Sequence, residues 1–252
     1  MKLASIIIFI SLSANLFANE YSFRKYAHVK KFYSEITVEA IKICKERKLP
    51  PAAVLAIAGL ESGYGSGYVS QITGNILSLG AFRGDKELPA LYLPYSKSKN
   101  KVLFDPGVIK KYSKDDLIYK KRDKSYKHDY RPKPYAGTIK NLEFLKYNKE
   151  ARSQARKNCL NDFSTRWINK SSNIKAFSAS RIWLNARKDE LYDLKTSIGF
   201  IERIGGIPNS FNYRKTWPKK VKLLMKKVGL VALVNDMDQN KMNFNEAWEK
   251  NN

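Results

Sequence analysis

Acidic residues are scarce in this chain: 23 aspartates and glutamates stand against 47 lysines and arginines in 252 residues, a formal charge of +24. Such a surplus predicts a polyanionic partner, and nucleic acid, anionic lipid and cell-wall polymer all fit it. Soft metal ligands are scarcer still. Two cysteines, Cys44 and Cys159, and two histidines, His28 and His128, show no metal-site spacing, so neither a structural metal nor a cofactor is expected. The same scarcity leaves two readings of the cysteines open, a disulfide or a pair of buried apolar thiols. Long apolar runs are missing after the N-terminus, as are internal repeats and low-complexity linkers.

The N-terminus itself is different. Met1-Lys2 is followed by the apolar stretch Leu3 to Leu12 and by Ala14 to Ala18 before polar residues begin at Asn19. That layout reads as a signal peptide over 1–18, since the run falls short of the roughly 20 residues a membrane span requires. A periplasmic or secreted protein without a lasting membrane anchor follows, and export disfavours nucleic acid as the partner. The remaining residues, 19–252, suffice for one domain with a packed core.

Helical periodicity dominates both ends of that domain. Ile36, Ala40, Ile43 and Cys44 predict a helix over Ser34 to Arg47, which Pro50-Pro51 ends before opening a second one from Ala52 to Glu61. Residues 75–134 lose the pattern and read as an irregular lobe with a little strand, around Leu91-Tyr92-Leu93 and Val102 to Phe104. Helices then return over Ile139 to Tyr147 behind Thr138 as N-cap, Ala151 to Trp167, Ile174 to Tyr192 and the amphipathic segment after Pro218. The expected class is mainly α, with a small β-containing lobe beside a helical body.

Glu61 is where this pattern meets chemistry. Helical spacing puts it on one face with Val54, Ile57 and Ala58, at the point where Ser62-Gly63-Tyr64-Gly65-Ser66-Gly67 stops the helix. Burial and the negative end of the helix dipole both disfavour the carboxylate there and raise its pKa, as a general acid requires. The glycines permit close approach of a ligand, and Tyr64 and Tyr68 offer flat faces for sugar rings.

Leu60-Glu61-Ser62-Gly63-Tyr64-Gly65-Ser66, followed by Gly74-Asn75-Ile76-Leu77-Ser78-Leu79-Gly80, resembles the signature of the bacterial glucosaminidases of glycoside hydrolase family 73. Tyr64 stands where that family usually has tryptophan, and Gly74-Asn75 where it often has paired asparagines. Tyr135 to Tyr147 resembles the family helix after the substrate lobe, and Asn209 to Tyr213 with Trp217 to Met225 its tyrosine-bearing C-terminal stretch. The resemblance implies a lysozyme-like fold and cleavage of peptidoglycan glycan strands next to N-acetylglucosamine, with Glu61 as proton donor. A lytic transglycosylase or muramidase on the same fold, or a non-catalytic cationic wall-binding protein, are the alternatives. The family usually draws a second acid from the lobe, for which Asp85, Glu87, Asp105, Asp116 and Asp129 qualify and Asp105 is preferred. Tyr213 matches the tyrosine near the reacting sugar, and Asn75, Tyr130 and Tyr135 join Tyr64 and Tyr68 as expected substrate contacts.

Overall fold

The computed structural model describes residues 21–80, 92–121, 127–132 and 144–250. The predicted signal peptide, Asp85, Glu87, Tyr135 and the Thr138 cap lie outside these residues.

Helix α2, Pro51–Ser62, forms the centre of the fold. Every residue from Pro51 to Gly59 is buried, so the helix is apolar all round, where a surface helix would show a stripe. Around it pack α1 (Ala27–Arg47), α8 (Leu194–Ile204), α9 (Trp217–Val228) and α10 (Leu230–Asp238). Gly59 lets α1 come close: a Cβ at that position would lie 2.3 Å from the Tyr33 hydroxyl. α1 starts seven residues before its predicted boundary, because Val29, Phe32 and Tyr33 extend its buried face backwards from Ile36. Helices α6 (Lys149–Asp162) and α7 (Lys175–Asn185) are joined by a π-helical turn, Phe163–Trp167, and α11 (Phe244–Glu249) closes the chain behind an Asn243–Glu246 capping box.

Arg24 ties the two ends of this body together. Its buried guanidinium donates to the carbonyls of Val228, Gly229, Ala247 and Trp248 at the C-terminal ends of α9 and α11. A cation placed there meets carbonyl groups at helix C-terminal ends, where the backbone leaves acceptors free and the helix dipole is negative.

The irregular lobe is more ordered than its sequence suggests. Strands β1 (Tyr92–Ser96), β2 (Lys101–Val102) and β3 (Leu117–Lys121) form an antiparallel sheet in the order β2-β1-β3, with Tyr95 opposite Val102 and Ile118. Leu93 packs on Ile72 of α3, Tyr68–Thr73, together with Tyr68, Val69 and Val102. The Tyr68 amide donates to the Phe104 carbonyl at 3.1 Å, so the sheet is attached to the segment that follows Glu61. The short helices α4 (Pro106–Ile109) and α5 (Phe144–Tyr147) complete the description.

The result is mainly α with a small β-containing lobe, as the sequence predicts. Cys44 and Cys159 are both free and buried, and burial raises the pKa of each thiol. Among the described residues no helix is long and apolar enough to cross a membrane.

Candidate active site

Glu61 occupies the last turn of α2, which ends in a Schellman arrangement. Gly63 takes the left-handed conformation at φ 55°, and the Tyr64 amide donates back to the Gly59 carbonyl at 2.9 Å. Ser62 reinforces the turn: its hydroxyl donates to the Ala58 carbonyl at 2.6 Å and accepts from the Gly65 amide at 2.8 Å. The backbone beneath Glu61 is therefore fixed on both sides.

The side chain is fixed from across the fold. Trp217, at the first position of α9, donates its indole N–H to Glu61 Oε1 at 2.7 Å. Gly205 makes room for the ring, since a Cβ there would lie 2.2 Å from Trp217 Cε3. The chain from Gly205 to Asn212 folds back on itself, with the Phe211 amide donating to Ile204 O and the Gly206 amide to Asn212 O, each at 2.7 Å. Phe211 packs against the indole at a tilt, 5.5 Å between ring centroids, and itself contacts Phe163 and Trp167. This loop brings Asn212 and Arg214 to the end of α2.

Two opposing influences act on the Glu61 carboxyl. Burial pushes its pKa above the ordinary 4.5, and this is the larger effect; the Trp217 N–H, the Lys127 charge, the Asn212 side chain and the Arg214 charge pull it back, in that order. The group is raised and also surrounded by donors that stabilise the anion it becomes. That combination suits a carboxylic acid that must give up a proton within a reaction cycle. Replacing Trp217 by Phe keeps most of the packing and removes the N–H. Activity should then fall about tenfold or more, as expected for loss of one hydrogen bond to a charged group, worth about 1.5–3 kcal/mol. The alkaline limb of kcat/KM against pH should move upward, whereas a purely packing role for the indole would leave the limb in place.

The other predicted site residues are distributed differently. Asp105 is exposed and caps α4, accepting from the Gly107 amide at 2.7 Å and the Val108 amide at 3.2 Å. Asp116 accepts from Ser96 Oγ and the Ser98 amide, which hold its pKa down, and Asp129 pairs with Arg131 at 2.7 Å with both side chains fully enclosed. The charges that pull the Glu61 pKa down are the cations Lys127 and Arg214, while Asp105, Asp116 and Asp129 are each bonded to groups of their own. Asp85 and Glu87 lie outside the described residues.

Asn75 is buried in the body. Its amide donates to the carbonyls of Leu79 at 2.8 Å and His128 at 3.3 Å, and its oxygen accepts from the Leu79 amide at 2.9 Å and Cys159 Sγ at 3.4 Å. It closes the 75–79 loop and pins it to the 128–130 segment, which occupies the side chain that was expected to meet substrate. Asn75→Ala should cost about 2–4 kcal/mol by stranding buried polar groups, a loss read by chemical denaturation. Tyr64 sits at φ 54° with its ring edge-on to His28, Phe32 and Tyr33 of α1, and Tyr68 packs in the small lobe. The Tyr130 hydroxyl donates to Asp162 at 3.0 Å. Tyr213 is exposed beside Arg214, one residue from Asn212.

Sequence reading alone missed Trp217, Asn212, Lys127 and Arg214 as neighbours of Glu61. The segment named for its C-terminal resemblance contains two of them, but nothing local marks an indole as the partner of a carboxyl 156 residues away.

No family model and no curated protein matches the chain. Among solved structures it is similar to the catalytic domain of the autolysin Auto from Listeria monocytogenes, at 16% identity over 82% of this chain and 87% of that one, with a TM-score of 0.45.

Proposed function

We propose that this protein is an exported peptidoglycan hydrolase that cleaves β-1,4 glycosidic bonds next to N-acetylglucosamine, with Glu61 as general acid. The observation that carries the reading is a raised, partly exposed carboxyl at the end of a buried helix, held by an indole N–H and embedded in the Leu60 to Ser66 motif. Glycoside cleavage passes through an oxocarbenium-like state and needs one carboxylic acid to protonate the departing oxygen. Glu61 supplies that proton. As it ionises, Trp217, Asn212, Lys127 and Arg214 stabilise the carboxylate, so proton transfer is favoured without the acid being ionised beforehand.

The anomeric carbon requires a second carboxylate or the acetamido group of the substrate itself. Asp85 and Glu87 are the lobe acids still to be assigned, and substitution of each to Asn or Gln separates the two routes. The surplus of basic residues would hold the carboxylate-bearing wall polymer near the site. Mass spectrometry of fragments from purified peptidoglycan tests the bond assignment. Reducing N-acetylglucosamine ends are expected; reducing muramic ends would mean a muramidase and anhydro-muramic ends a lytic transglycosylase.

A further inference from the structure

Behind the glycine loop that closes α2 lies a pocket of about 220 Å3, whose walls include Lys31, Phe32, Glu35, Tyr64, Arg152 and Arg156. A second pocket, of about 350 Å3, shares Glu35, Arg152 and Arg156 and adds Lys149. Among the described residues Glu35 is the sole acid lining either one. It accepts from Arg156 Nη1 at 2.5 Å and from Arg152 Nη2 at 3.4 Å, and Arg152 is further held by the carbonyls of Leu145 and Lys146.

Arg156 is left incompletely satisfied. Its side chain is only 10% exposed, yet Nε has no hydrogen-bond partner, and among the described residues Nη2 makes no hydrogen bond either. Nε and Nη2 form the side edge of the guanidinium, the edge that receives both oxygens of a carboxylate in parallel. Gly65 borders Nη2: a Cβ there would come within 2.8 Å of that nitrogen, so glycine at this position leaves Nη2 uncovered from the loop side, while Nε lies enclosed behind it. Phe32 supports the guanidinium from one face, 5.5 Å from its ring centroid. A buried cation using one of its three nitrogens, in a pocket with a surplus of positive charge, is arranged for an anion.

We propose that the Nε–Nη2 edge of Arg156 is a carboxylate-binding site that takes the free carboxylate of a short peptide. The volume admits a residue or two of peptide, and Phe32 and Tyr64 offer apolar surface to its side chains. Taking the wall's stem peptide as the natural source rests on the glycan-cleavage reading; the carboxylate site itself does not. Substrate would then be gripped at a point separate from the bond being cut, beside the glycine loop that follows Glu61.

Titration calorimetry on the full chain tests this with an N-acetylated alanine tripeptide, its C-terminal amide and inorganic phosphate. The free acid should bind, and the amide at least tenfold more weakly. Arg156→Gln should weaken the free acid at least tenfold, while Glu35→Gln, which removes the competing carboxylate, should tighten it. Should Arg156→Gln fail to fold, Glu35→Gln and the exposed rim variant Lys31→Gln, expected to weaken binding, carry the same test. Equal binding of acid and amide, unchanged affinity in Arg156→Gln, or phosphate binding without peptide binding would overturn the proposal. Glu61→Gln should bind the tripeptide like wild type, so a failure here is distinct from a failure of the glycan-cleavage reading.

Discussion

Glu61→Gln should clear purified cell walls about two to four orders of magnitude more slowly than wild type, while folding into a protein that is more stable at neutral pH. The rate falls because glutamine keeps the shape and loses the transferable proton, and general acid catalysis contributes about that much. The stability gain follows from the raised pKa of the native carboxyl. A group whose pKa is higher folded than unfolded contributes stability fully below its unfolded value, here an ordinary 4.5, and loses it as pH rises through the folded value. Wild type therefore becomes less stable relative to the variant as pH climbs from 4.5, and urea midpoints at acidic and neutral pH should show a gap that opens upward. Equal pH dependence in the two proteins would mean that Glu61 is not perturbed by burial.

Gly205→Ala is expected to act on the same carboxyl from a distance. Gly205 lies at φ −149°, ordinary extended backbone, so the added methyl brings no backbone strain. The obstacle is steric: Trp217 Cε3 and Cζ3 would lie 2.2 and 2.3 Å from it, and an indole buried to 3% exposure has no free rotamer to retreat into. Overpacking of this kind costs about 1–3 kcal/mol. The displaced ring should also release Glu61, giving an activity loss of about tenfold or more and the same upward move of the alkaline limb as Trp217→Phe. A Gly205→Ala protein of wild-type activity and stability would show that Trp217 can shift without consequence for Glu61.

Local signals made α2 and its end legible in the sequence. Pro51 at the first turn and Gly63 at the left-handed closing position bound the helix, and Glu61 falls between them whatever its partners are. The amphipathic segment after Pro218 and the class of the fold could likewise be read from periodicity. The periodicity argument failed in detail on α2 itself, which is buried on all sides, so the face assigned to Glu61 was one of several buried ones. Helices α8 and α10 went unread although Asp193 and Gly205 bound α8, Ser197, Phe200, Ile201 and Ile204 give it a helical stripe, and Gly229 precedes α10; the continuous helix expected over Ala151 to Trp167 gives way to a π turn where Phe163 enters the core.

The contacts around Glu61 were not legible in the sequence. Asn75 was expected as a substrate contact from the resemblance of Gly74-Asn75 to the family's paired asparagines, yet the four hydrogen bonds of its side chain are all internal. Asp105 looked like a strand-end acid, and β2 stops at Val102, leaving Asp105 to start α4. Arg24 and Arg156 are long basic side chains that composition would place in solvent; partners remote in sequence draw both inside. In each case the deciding contact crosses the fold, and spacing along the chain carries no trace of it.

The most direct measurement compares wild type and Glu61→Gln on the same purified, reduced peptidoglycan and counts new reducing ends over time. Wild type should release them steadily and Glu61→Gln at no more than about one-hundredth of that rate. Equal release by the two proteins would contradict Glu61 as the proton donor, and no release by either would contradict hydrolytic cleavage of the glycan.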